Sequence, residues 1–436
     1  MLSKTKIHLT YAATLAGACL LPSVAHAALP VVPCSEVNVP NKIFGVGGSA
    51  VTATLRAIQL AILNDATGTP AEQTHIFYAD PNACDGWADY VTGKTVRTFR
   101  YWTAGTAAAD TDQTCTAPID GQPVDFAHMG NVAADCAIPD IPKGIGDFPA
   151  PIQSVNIVTG IDSPETSISA EALYILYGFG PALAQAAPWS QGTGVFARQS
   201  TAFVTTLVGA HVGLENAQFI GTGKWAETNA PGNPDGKKSA IQTNGAVIAA
   251  IKDYSKSETL AAQALGYVSG STADTRRADA KTLAFQAFGQ TCGVYPDSTD
   301  TALDKLNVRL GKYALWAQGH YFAPVDENGV PTNARVANLI SWFSDGPADG
   351  TSVRPFDVTI KAGDIPACAM QALRDDTTGP LYSYAPPKPC TGRFELVATG
   401  ATEHDECDAD TDCSGETPSC NYGFCEAYRD AGQEEG

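Results

Sequence analysis

NKIFGVGGSAVTATLRAIQLAILN, residues 41–64, is the stretch on which the reading of the chain turns. An apolar run from Lys42 to Phe44 meets the glycine turn Gly45-Val46-Gly47-Gly48. Ser49 then opens about four turns of helical periodicity through Leu55, Ile58, Ile62 and Leu63. Strand, tight turn and helix start follow one another, and such a junction leaves unpaired N–H groups with the positive end of a helix dipole behind them. The stretch can therefore receive an anion, the alternative being a turn that only lets helix and strand pack closely.

Outward from it, short apolar strands alternate with helical segments. Strands are expected at His75 to Ala79, Thr95 to Trp102, Val124 to Gly130, Ile152 to Val158, Gly194 to Ala197 and Leu265 to Val268, with strand structure again over Leu306 to Phe322. Helices are expected at Ser169 to Tyr177, with Ser169 as cap and Glu171 in its first turn, and at Ala202 to Val212, Asn244 to Tyr254 and Arg335 to Phe343. Cys84 and Cys115 read as loop residues, and Pro386-Pro387-Lys388-Pro389 as a linker. The alternation predicts an α/β fold.

The 436 residues, 44% of them hydrophobic, can fill two or three cores. Residues 1–27 read as a cleavable leader. Lys4 and Lys6 are its basic end, Ala12 to Leu21 its apolar run, and Ala25-His26-Ala27 its cleavage site, which places the chain in the periplasm or outside the cell. A lipoprotein reading through Cys19 is weaker, because Leu15 stands one place too far away. Eleven of the 12 cysteines lie beyond the leader, a number that suits disulfides and leaves one over. The formal charge is -19, and -21 without Lys4 and Lys6, which argues against nucleic acid or anionic lipid as a partner. Residues 391–436 alone hold twelve acidic and two basic residues.

Gly45, Gly47 and Ala50 partly imitate a dinucleotide fingerprint, but the acidic residue that ends the next strand, Asp80, is too far on. Two further junctions share the build of the first: Gly105-Thr106 after a strand, and Arg198-Gln199-Ser200-Thr201 before a helix. Together with Ser49 and Ala50 they can bring amides and hydroxyls onto one tetrahedral oxyanion, with Arg198 as its charge partner. The histidines at 75, 128, 211, 320 and 404 show no zinc spacing, so no metal is expected, and His128 reads as a satisfied strand-end histidine. No G-x-S-x-G elbow occurs, and no nucleophile and base suggest themselves for an exported hydrolase. No cofactor is expected.

In their order these pieces resemble the periplasmic phosphate-binding proteins of ABC importers and the wider type II substrate-binding superfamily. FGVGGSAVTATLRAIQLAI is similar to that family's first strand and helix, VDFAHMG to its VDFGASD segment, and QSTAFVTTLVG to its SGTSF helix start. NGAVIAAIKDY with ALGYV is similar to its helix before GAIGYV. The resemblance implies a two-lobed fold with an interlobe cleft, one lobe at 35–155 and 312–380 and the other at 156–311. It implies a monomer that captures phosphate or a related small oxyanion for uptake or sensing, with an ABC importer as partner. Ser49, Ala50, Gly105, Thr106, Arg198, Ser200 and Thr201 would be the site. The departures are specific. Gly130 replaces the aspartate that accepts a proton from phosphate, Asp125 matches the structural one, and Arg198 directly adjoins Gln199-Ser200-Thr201. The alternative is a secreted or surface interaction protein that keeps the fold without the ligand.

Cys407, Cys413, Cys420 and Cys425 read as a small disulfide-held module over 401–428, after a linker at 381–400, with three pairings open. Asp408, Asp410 and Asp412 imitate the start of a calcium loop, but Cys413 and Ser419 stand where its glycine and glutamate belong.

Overall fold

The computed structural model describes residues 32–105, 111–180, 186–215, 241 and 243–427. The leader expected over 1–27, and Thr106, lie outside them. The fold is α/β, as the alternation predicts. Its ten-stranded mixed sheet comprises β1 (Val32–Pro33), β2 (Lys42–Gly47), β3 (His75–Ala79), β4 (Thr98–Trp102), β5 (Asp112–Thr116), β6 (Phe126–Met129), β7 (Ile145–Gly160), β9 (Gly266–Ser269), β10 (Ala280–Thr282) and β12 (Trp316–Pro324). The order across it is β1-β5-β4-β3-β2-β6-β12-β7-β10, with β9 also on β7. A separate pair joins β8 (Ser167–Ser169) to β11 (Ala284–Gln286).

β2 runs parallel to β3 and to β6, so the carboxyl ends of all three reach one edge. β4 runs antiparallel to β3 and ends at the opposite edge. The long β7 serves both halves of the sheet: Ile145 to Ser154 pair with β12, and Val155 to Gly160 pair with β9 and β10.

Helices cover both faces of each half. Helix α1 (Thr52–Leu63) buries Leu55, Ile58 and Ile62 at helical spacing against Ile43, Ile76 and Phe126. Helix α2 (Ala83–Val91) places Trp87 on the other face with Phe77, Phe99 and Phe322. In the second half α3 (Ala170–Phe179) and α4 (Phe203–Val212) share a core with Ile157 and Tyr267, while α5 (Asn244–Tyr254) packs with Val158 and Phe196. Ser169 does cap α3, accepting from the Ala172 N–H at 3.2 Å. From Val32 onward the chain is one compact unit, and no helix among the described residues is long and apolar enough to cross a membrane.

Several local expectations are corrected. Cys84 lies in α2, and Cys115 lies in β5, fully buried and bonded to Cys34; Cys84 pairs with Cys136. Gly194 to Ala197 forms no strand, only a bridge from Val195 to Leu265. Leu306 to Arg309 is a helical turn, and strand begins only at Trp316. The stretch 381–400 is no free linker. It holds half of a hairpin, β13 (Ala372–Leu373) with β14 (Tyr382–Ser383), the Cys368–Cys390 bridge and a helix, Thr391–Thr399, that sends Phe394 into the core.

That last helix lies on α7 (Pro355–Lys361), which lies on α1; α6 (Ala334–Ser341) precedes both, and Thr391–Thr399 is α8. The cysteine-rich segment is docked as well. It is closed by Cys407–Cys420 and Cys413–Cys425 and carries β15 (Ser419–Asn421) and β16 (Phe424–Glu426). Tyr422 stacks on Phe356 with ring centroids 5.2 Å apart, and Phe424 is buried against Gly392. The cysteine left over is Cys292, which is exposed.

Candidate functional site

The opening motif is tighter than its sequence suggests. β2 continues through Gly47, and α1 begins at Thr52, so Ser49, Ala50 and Val51 form the turn itself and Ser49 is not the cap of α1. The glycines answer close approaches. A Cβ on Gly45 would lie 2.2 Å from the Phe126 ring, and one on Gly47, at φ +152°, would lie 2.0 Å from the His128 carbonyl oxygen. Gly86 brings α2 equally close to Gly47.

Four helix starts converge at this edge. Ser49 and Ala50 precede α1, Asn82 and Ala83 begin α2, Ala202 and Phe203 begin α4, and Asn244 begins α5; all of them border one recess together with Arg198. Each helix start contributes unpaired N–H groups and partial positive charge. Arg198 adds a full charge and is 1% exposed. Its Nη1 donates to Asn244 Oδ1 at 3.3 Å and its Nη2 to Ser49 Oγ at 3.2 Å, while its Nε has no hydrogen-bond partner. Among the described residues no carboxylate forms an ion pair with it. Burial lowers the guanidinium to about 10, opposed by Tyr267 and Asp80, so it remains charged at neutral pH. In this conformation the recess does not admit a water molecule.

Of the expected site residues, Ser49, Ala50 and Arg198 are brought together. Thr201 stands beside them but donates to Asp85 Oδ2 of α2 at 2.8 Å, and Ser200 is half-buried in the turn before α4. Gly105 does not belong to the site. Because β4 runs antiparallel, Gly105 lies at the far end of α1, where its N–H and carbonyl both bond the Asn64 side chain at 3.0 Å.

Three features escape the sequence reading. Asn244 holds Arg198; its place directly after the capping Thr243 was the available signal. Gly130 is a socket: a Cβ there would sit 2.7 Å from Phe203 Cγ, so the ring of α4's first residue occupies the space next to it. His128 is buried with neither ring nitrogen hydrogen-bonded, 4.9 Å from the Tyr321 ring, and burial pushes it down to about 3. It is a neutral core residue and not a satisfied one. Asp125 does have a structural role, accepting from the Phe44 N–H at 2.7 Å. The sulfurs of Cys407, Cys413 and Cys425 lie close together but are committed to disulfides, so they offer no metal site.

No family model and no curated protein matches the chain. Solved structures do. A proposed phosphate ABC transporter substrate-binding protein with bound phosphate from Clostridium perfringens superposes with a TM-score of 0.45 at 11% identity, over 75% of this chain and 100% of that one. An ABC-type phosphate transport receptor from Vibrio cholerae gives 0.41 at 12%, over 74% and 99%. An OxyR mutant from Corynebacterium glutamicum gives 0.36 at 10%, over 76% and 68%. Superpositions this loose, to proteins of different roles, carry no argument about this chain, whose reading rests on its own topology and site.

Proposed function

We propose that this chain captures a small oxyanion, phosphate first, in the cleft between a lobe at 35–155 and 312–380 and a lobe at 156–311. The observation that supports the reading is the meeting of four helix starts on a buried Arg198 with no carboxylate partner among the described residues. A buried charge without its opposite is costly, and an anion from outside would offset that cost. Ser49 Oγ and Asn244, which now accept from Arg198, would reorient toward the ligand. Since the recess has no room for a water molecule, the lobes would part to admit an anion and close on it. The chain would then serve uptake or sensing in an exported compartment, with an ABC importer as its partner, and five disulfides accord with an oxidising location.

A second reading is favoured by Phe203 and Gly130. The ring fills the space beside the recess, as expected of a protein that keeps the fold and uses its surface to bind a partner instead. Thermal unfolding of the mature protein with phosphate, sulfate, arsenate, molybdate and a phosphonate separates the two. Under the first reading, an anion at 100 times its Kd adds about 2.7 kcal/mol of stability, and Arg198→Ala abolishes the gain. If no anion raises the midpoint, the second reading stands. If phosphate binds and Arg198→Ala leaves its affinity unchanged, the assigned site is wrong.

A further inference from the structure

A cavity of about 190 Å³, sharing no lining residue with the Arg198 recess, lies where the cysteine-rich segment meets the body of the protein. Its lining combines Met370, Tyr384, Pro386 and Pro389, which are apolar or aromatic, with Glu426 and His404. Glu426 is 2% exposed. Its Oε1 accepts from the Gly392 N–H at 2.7 Å. His404 stands beside it, its Nδ1 3.8 Å from Oε2 and 3.1 Å from the Cys425 carbonyl oxygen, toward which it directs its proton. Arg309 is engaged by Glu395. Among the described residues no lysine or arginine lines the cavity, and the stretch from 391 onward is strongly acidic.

We propose that this cavity binds a small organic ammonium ion. Glu426 supplies a negative charge that offsets the cost of bringing a cation into apolar surroundings, and Tyr384 presents a half-buried ring to the cation's methyl or methylene groups. The prolines and Met370 enclose the rest. A metal ion is a poorer fit, since a single carboxylate offers too few oxygen ligands. The proposal is independent of the oxyanion reading and uses none of its residues.

The test is calorimetry of the full mature chain with choline, ethanolamine and 3,3-dimethylbutan-1-ol, the neutral isostere of choline. Binding of choline or ethanolamine, with the neutral alcohol at least about tenfold weaker than choline, is the expected result. Glu426→Gln, which keeps an acceptor for the Gly392 amide, should weaken the cation about tenfold or more. Tyr384→Ala should weaken it severalfold and keeps the test decisive if Glu426→Gln does not fold. Absence of binding by both cations, equal binding of choline and the alcohol, or undiminished binding by a folded Glu426→Gln protein overturns the proposal.

Discussion

Arg198 and Arg309 are each about 1% exposed, yet their surroundings treat the charge differently. Arg309 sends Nη1 and Nη2 to Glu395 Oε1 at 3.3 and 3.4 Å and Nε to the Ala369 carbonyl at 3.1 Å, and it lies 4.9 Å from the centre of the Phe394 ring. Its counter-charge belongs to the chain, and the pair fastens α8 to the helical turn at 306–309. Arg198 meets only a hydroxyl and an amide, and one of its nitrogens meets nothing. The first cation is part of the scaffold. The second is held by neutral groups only, the arrangement that the proposed capture of an external anion calls for.

The largest test of that contrast is to neutralise each charge. In denaturant unfolding without added anion, Arg309→Met should cost about 3–5 kcal/mol, because Glu395 loses its partner. Arg198→Met should stay within about 1 kcal/mol of the parent or gain stability, since it removes a buried charge that nothing in the chain pairs. Equal losses would erase the distinction. The clamp around Arg309 is also covalent: opening Cys368–Cys390, which spans 22 residues, by replacing both with alanine should cost about 3 kcal/mol by the same measurement. A negligible cost would mean that the helix and its ion pair suffice alone.

Asp364 shows why a buried carboxyl need not serve as a counter-charge. Burial raises it to about 7, against the donors Thr54 and Gln153 that favour its ionised form. The folded protein therefore holds this proton more tightly than the unfolded chain does. The resulting stabilisation is complete below the unfolded value of 3.8 and is lost as pH rises to about 7. Relative to the parent, Asp364→Asn should gain a few kcal/mol, to order of magnitude, between pH 4 and 8. A difference that does not change with pH would contradict the assignment.

The smallest effect concerns the socket beside Arg198. Gly130→Ala drives a methyl toward the Phe203 ring and should cost about 1–3 kcal/mol, and Phe203→Leu in the same chain should recover most of it. If the two changes simply add, Gly130 and Phe203 are not coupled, and the recess is less tightly filled than the geometry implies.

The sequence was most legible where periodicity and capping agree. The helix at Asn244 to Tyr254 has the expected limits, and Ser169 performs the cap its position suggests. Helix α2 was hidden because Asp85, Gly86 and Asp89 interrupt its apolar pattern; Gly86 is there to let the helix touch Gly47. β5 was hidden because Asp-Gln-Thr-Cys-Thr is polar, with only Cys115 turned inward. Gly105 was misplaced for a different reason. Local residues mark where β4 ends but not that it runs antiparallel, and its direction decides which edge the end reaches. Ser49 and Arg198 could each be singled out alone, whereas the hydrogen bond between them spans 149 residues and depends on the tertiary fold.

The position of β12 sets an order of events in time. It lies between β6 and β7 and pairs with both, although its residues, Trp316 to Pro324, are made after the nine other strands of the sheet. Until they emerge, β6 carries an open edge, and the strands on either side have no shared ladder. The ladder across the sheet is thus closed by the last of its ten strands to appear, a closure of high sequence separation and correspondingly slow. A nascent chain arrested before Trp316 would present two unfinished sheet edges to its surroundings.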